Sequence, residues 1–106
     1  MSEAERQAEE GEYADLIRAM RESDVFIAAC EVEHYDAACT VRIRDGVRSV
    51  RDGPAVAAEE FLTGYFLIDT KSLDAAIDWA AKIPNARSGS VEVRPVMIDQ
   101  PGQTVV

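Results

Sequence analysis

Two cysteines, one histidine and one tryptophan are all that 106 residues supply of those types. Cys30 and Cys39 lie in different apolar stretches, too few for a disulfide framework, and are expected to be reduced, buried thiols. Their spacing with His34 fits no zinc knuckle, so no metal site is expected. No apolar run is long enough to cross a bilayer, and Ser2-Glu3-Ala4-Glu5-Arg6 is the opposite of a secretory leader. A cytoplasmic protein with no membrane association is the expectation. A glycine-rich phosphate loop, a Gly-x-Ser-x-Gly elbow and a dinucleotide fingerprint are all missing, and no cofactor is expected. Bases are short as well: eleven against twenty acids give a formal charge of −9. That balance argues against nucleic-acid binding, because phosphate neutralisation needs surplus lysine and arginine.

What is present is ordinary for one globular domain, with 47% hydrophobic and 29% charged residues. Ser2 and Glu5 have capping-box spacing, so a helix is predicted to start almost at the first residue. Tyr13, Leu16, Ile17 and Met20 recur at i, i+3, i+4 and i+7 and lay one apolar stripe along it. Arg21-Glu22-Ser23-Asp24 breaks the pattern, and the β-rich run Val25 to Val32 follows. Cys39 to Arg44 alternates, and Asp45-Gly46 is a two-residue hairpin turn because both residues tolerate positive φ. A tight loop pairs Val41 with Val50 and sets Ile43 opposite Arg48; a bulge or longer loop is the alternative.

Asp52-Gly53-Pro54 stops the returning strand, since proline removes a donor and the aspartate can bond the turn. Ala55 to Glu60 reads as loop or a short helical turn, and Tyr65 to Ile68 as a strand. Ser72 then caps a helix whose stripe is Leu73, Ala76, Ile77 and Ala80, with Trp79 in its packing, and Pro84 ends it. Val91 to Arg94 is the last predicted strand, pushed toward an edge by Pro95, and the tail from Asp99 to Val106 is expected to be poorly fixed.

Several of these segments together carry a resemblance. Arg51-Asp52-Gly53-Pro54 and Ser88-Gly89-Ser90-Val91-Glu92-Val93-Arg94-Pro95-Val96 are the two leading signatures. Thr40-Val41-Arg42-Ile43-Arg44-Asp45-Gly46, Gly64-Tyr65-Phe66-Leu67-Ile68-Asp69 and Ala80-Ala81-Lys82-Ile83-Pro84 support them. Over nearly all of residues 2 to 97 the chain resembles the YCII-related, or DGPF, family of small bacterial proteins. The resemblance implies an α+β fold: a ferredoxin-like antiparallel sheet with two helices on one face, assembled as a dimeric α/β barrel. The order here is α-β-β-β-α-β, with the domain at 1–97 and a tail at 98–106. Relatives usually carry an apolar strand before the segment matched by Ser2 to Ala8, so a strand is expected to be missing at the front.

The family's reaction is mostly unassigned, and the fold does not specify one. Alternation nominates Glu31, Arg42, Tyr65 and Arg94 as polar side chains facing an enclosed space, with Asp52 at its mouth. Glu31 continues the row of Val25, Ile27 and Ala29, where desolvation would raise its pKa toward the range of an acid or base; a strand-end carboxylate in water is the plainer alternative. It also matches a glutamate common in the family. Arg42 and Arg94 are candidate anion clamps, Tyr65 a candidate ligand contact, and Asp52 either a turn cap or a catalytic group. His34 can pair with Asp36 or Asp52 as an acid-base dyad, although it lies in a loop that the resemblance does not explain. Arg42, Arg44, Arg48 and Arg51 crowd one hairpin, as a site for a small anion or as a solvated face. Relatives usually have phenylalanine where this chain has Ala55, and a polar stretch where it has Ala57-Ala58-Glu59.

Two function classes follow from this reading. The first is a small-molecule-binding homodimer, a cofactor-independent acid-base enzyme of lyase or isomerase type acting on a small anionic substrate. The second is a non-catalytic regulatory or interaction module associated with an extracytoplasmic-function sigma factor.

Overall fold

The computed structural model describes residues 2–56 and 60–97. The readings of Ala57-Ala58-Glu59 and of the tail from residue 98 lie outside these residues. Helix α1 (Glu3–Glu22) is followed by β1 (Phe26–Glu31), a 3-10 turn at Tyr35–Ala37, and the strands β2 (Cys39–Arg44), β3 (Val47–Asp52) and β4 (Gly64–Ile68). Helix α2 (Leu73–Ala80) and a 3-10 turn at Pro84–Arg87 complete the order. The fold is α+β, with antiparallel strands in two small sheets, β1 with β4 and β2 with β3, in an order consistent with a ferredoxin-like arrangement.

The helix ends follow their local chemistry. Ser2 accepts the N–H of Glu5 at 3.1 Å and donates its hydroxyl to the Glu5 carboxylate, also at 3.1 Å, so that carboxylate takes the hydroxyl instead of the Ser2 amide. At the other end Asp24 is left-handed with φ 58°, its N–H reaches Arg21 O, and the next N–H, from Val25, reaches Met20 O. These two bonds form a Schellman closure, in which aspartate takes the place usually held by glycine. Ser72 caps α2 by accepting the N–H of Ala75 at 3.1 Å.

The chain divides into two compact units, Met1–Ala28 with Phe66–Val106, and Ala29–Tyr65. The first unit holds the core: Leu16, Met20, Ile68 and Ala76 are buried, and Val25, Phe26, Phe66, Trp79, Ile83 and Val93 pack against them. In the second unit Thr40 is the one buried residue among those described, and it is polar.

Several expectations need correction. The burying face of α2 is Ala76, Trp79 and Ala80, whereas Leu73 and Ile77 are exposed. The large Trp79 ring turns the helix toward its own side, where it packs against the core and carries the Lys82 ammonium 4.5 Å above it. Four strands, not three, stand between the helices, and Val91 to Arg94 joins no ladder among the described residues. That segment keeps its alternation nonetheless, with Val91 and Val93 half-buried and Glu92 and Arg94 exposed. Both cysteines are free and exposed, because the strands that carry them turn those positions outward.

The hairpin turn is the tight one. Asp45 and Gly46 have φ of 52° and 77°, and the register sets Val41 against Val50, Ile43 against Arg48 and Cys39 against Asp52. Strands β1 and β4 are closed at one end by Val32 N–H to Thr63 O at 2.9 Å and at the other by Asp69 N–H to Val25 O at 2.8 Å, which fixes them as antiparallel. No helix among the described residues is long and apolar enough to cross a membrane.

Candidate functional site

The second unit folds around the end of its hairpin. Gly53 follows β3 with φ of 99°, a conformation that glycine adopts without a Cβ clash. It is held at both polar groups: its N–H donates to Ala38 O at 2.8 Å, and its carbonyl accepts the buried Thr40 hydroxyl at 2.7 Å. Arg51 donates to Pro54 O at 3.1 Å and closes the Arg-Asp-Gly-Pro turn from the other side. Three hydrogen bonds therefore fix the backbone on which Arg51 and Asp52 stand.

Beside this turn lies the connection from β1 to β2. His34 starts its 3-10 turn, with Nδ1 placed 3.4 Å from the Asp36 N–H and 3.2 Å from the Asp36 carboxylate. The two contacts are alternatives for one ring nitrogen: it accepts from the amide when bare, or donates to the carboxylate when it carries a proton. The His34 ring meets Tyr35 at 4.1 Å between centroids, and Tyr35 stacks on Phe61 at 4.1 Å with planes 16° apart. Three rings thus stand in a row.

Tyr35, Phe61, Arg51, Asp52, Gly53, Pro54 and Ala55 line an open cleft of about 380 Å³. Its lining combines two aromatic rings with an arginine, an aspartate and the turn residues. No acidic partner engages Arg51 among the described residues, so most of its N–H groups are available to a ligand.

Of the residues nominated from sequence, Asp52 lines this cleft and His34 touches one of its walls through Tyr35. Glu31, Arg42 and Tyr65 belong to the same unit but lie outside the lining. Glu31 ends β1 in an exposed position among the described residues. Arg42 is half-buried on the hairpin, and Tyr65 is exposed on β4. Arg94 belongs to the first unit, where its guanidinium pairs with Glu92. Sequence reasoning did not single out Tyr35 or Phe61, whose only signal is that both are aromatic residues in polar loops. Arg51 carried a stronger one, as the first residue of the signature turn.

A profile of the YCII-related domain matches residues 1–98. The chain belongs to the YCII-related domain family. The signature turn of this YCII-related protein is the element that the cleft is built on. A curated relative, an uncharacterized protein of Rhizobium meliloti (strain 1021), is 45% identical over 69 residues. Those residues make up 63% of the YCII-related chain and 56% of the relative, so the chain spans little more than half of that protein's length.

Proposed function

We propose that this YCII-related domain binds a small organic anion with a planar group in the cleft of the second unit, and that Asp52 exchanges a proton with it without a cofactor. The observation that supports the reading is the clamped turn, whose Arg51 and Asp52 line the same cleft as the stacked Tyr35 and Phe61. Arg51 supplies a fixed fork of donors suited to a carboxylate or an enolate oxygen. The stacked rings supply a flat apolar surface for the rest of the ligand. Asp52 also lines the cleft and is the group proposed to exchange a proton with a carbon beside the bound carboxylate or carbonyl. Such an arrangement suits lyase or isomerase chemistry, in which a proton leaves and returns and no electrons are exchanged with an outside donor.

Two measurements test the reading. Titration of benzoate and of small 2-oxo acids, followed by amide shifts, is expected to move Gly53 and the Tyr35 neighbourhood first. Arg51→Ala is expected to weaken binding roughly tenfold or more, the effect of losing a charged hydrogen bond. Asp52→Asn is expected to retain binding and to lose solvent deuterium incorporation into the bound 2-oxo acid. If none of these anions shifts the parent protein, the cleft is not an anion site.

A further inference from the structure

The two faces of the β2–β3 hairpin differ in charge. Its register places Thr40, Arg42, Arg44, Val47, Ser49 and Arg51 on one face and Cys39, Val41, Ile43, Arg48, Val50 and Asp52 on the other. The first face carries three guanidiniums and no acid, since Asp52 is on the second face and Asp45 lies in the turn between the strands. This is a local excess of bases in a chain whose formal charge is −9. None of Arg42, Arg44 and Arg51 has an acidic partner among the described residues.

Their placement ties this face to the cleft. Arg51 belongs to both: it lines the cleft, and on the face it stands opposite Thr40, whose buried hydroxyl holds the Gly53 carbonyl. Arg42 is diagonal to Arg51 across the ladder, and Arg44 is two residues further along β2. The row therefore runs from the cleft toward the turn in steps of about 7 Å between side-chain origins. Arg51 gives one N–H to Pro54 O at 3.1 Å and Arg44 one to Ile43 O, also at 3.1 Å, which leaves most donors of each for a ligand. Three like charges this close repel one another, and an anion placed among them removes that repulsion.

We propose that the ligand of the cleft is a phosphorylated planar acid, whose carboxylate Arg51 takes while Arg42 and Arg44 together take a phosphate at its far end. The inference rests on the cleft reading above and adds the class of ligand to it. Two neighbouring guanidiniums match the double charge and several acceptor oxygens of a phosphate monoester better than they match one carboxylate. A long polyanion is a poorer match, because the row holds three arginines, ends at the Asp45 turn and stands on an acidic chain.

The test compares benzoate with 4-carboxyphenyl phosphate, which adds a phosphate across the ring from the carboxylate. Both are titrated into the full chain and followed by amide shifts, with far-ultraviolet spectra to show that each variant is folded. The phosphate ester is expected to bind the parent roughly tenfold or more tighter than benzoate, the effect of charged hydrogen bonds to a second anionic group. Arg42→Gln and Arg44→Gln are each expected to remove most of this preference and to leave benzoate affinity as in the parent. Arg48→Gln is the control: it removes the same charge from the same hairpin on the opposite face, and is expected to keep the preference. Equal affinity of the two compounds for the parent, or a preference that survives both Arg42→Gln and Arg44→Gln, overturns the proposal. So does a preference that falls as far in Arg48→Gln, which would show only a diffuse attraction. Terephthalate, with a second carboxylate in place of the phosphate, overturns the assignment if it binds as tightly as the phosphate ester. Benzoate alone reads the cleft: if it shifts the parent and weakens in Arg51→Ala while the phosphate adds nothing, this inference fails and the cleft reading stands. If neither compound shifts Gly53, both fail.

Discussion

Replacing Gly64 with alanine is expected to open the end of the β1–β4 ladder and to lower the melting temperature by roughly 5–20 °C, from about 1–3 kcal/mol of overpacking in a domain of this size. The reason is one short distance. A Cβ on Gly64 would stand 2.6 Å from the carbonyl oxygen of Cys30 and 3.3 Å from the Cα of Glu31. Both are backbone atoms of the neighbouring strand, so no side chain can swing aside to make room. Either β4 shifts outward or β1 gives up its place, and in both cases the Val32 N–H to Thr63 O bond next to the clash is lost first. Thermal melts followed by circular dichroism, with amide exchange at Val32, measure this directly. A melting temperature equal to the parent's would show that the strands do not approach so closely. Valine at this position, with two more carbons facing the same backbone, is expected to be worse than alanine.

Met20→Ala is expected to have the larger effect on the first unit. Met20 is 1% exposed, the only large side chain among the described residues that is essentially closed off from water, and its neighbours in the core are Leu16, Ile68 and Ala76. Truncation removes its transfer free energy and leaves a void that the three remaining buried side chains cannot collapse to fill, a loss of about 2–5 kcal/mol. Whole domains are stable by only about 5–15 kcal/mol, so the variant is expected to melt well below the parent and to unfold at a much lower urea concentration. Leu73→Ala is the control. Leu73 is just as apolar but exposed on α2, and its truncation is expected to change stability by about 0.5 kcal/mol or less. Equal losses for the two variants would mean that the core is not where the burial pattern places it.

The contrast between Met20 and Leu73 also shows what a sequence makes legible. Both helices were readable from their caps, because Ser2 and Ser72 act on amides three residues away and need nothing distant. The tight hairpin was readable for the same reason, since Asp45 and Gly46 decide the turn between themselves. Periodicity found the stripe of α1 but misplaced that of α2. In a helix of eight residues rich in alanine, the packing of one ring, Trp79, outweighs the positions of two aliphatic side chains. Exposed Cys30 and Cys39 departed from expectation because residue type predicts burial only where a core exists to receive it, and among the described residues the unit that carries them buries only Thr40.

The candidate site divides the same way. Arg51 and Asp52 were legible, being held in a turn of four consecutive residues, but the Tyr35 and Phe61 wall was not. Those rings meet only after the hairpin has folded between them, and no local rule couples two aromatic residues across that span of chain. Gly53 lies between the two cases. Its positive φ was implied by the turn, whereas its bonds to Ala38 and Thr40 depend on the strand before the hairpin.

Among the described residues the core side chains Leu16, Met20, Ile68 and Ala76 belong to one unit of the chain, and the seven residues lining the cleft belong to the other. This division uncouples two kinds of mutation. A substitution that reshapes the cleft takes little from the interior on which folding depends, so it does not push the protein toward the stability threshold that most core changes approach. Leu16, Met20, Ile68 and Ala76 can then stay fixed while Tyr35, Ala55 and Phe61 change in small steps.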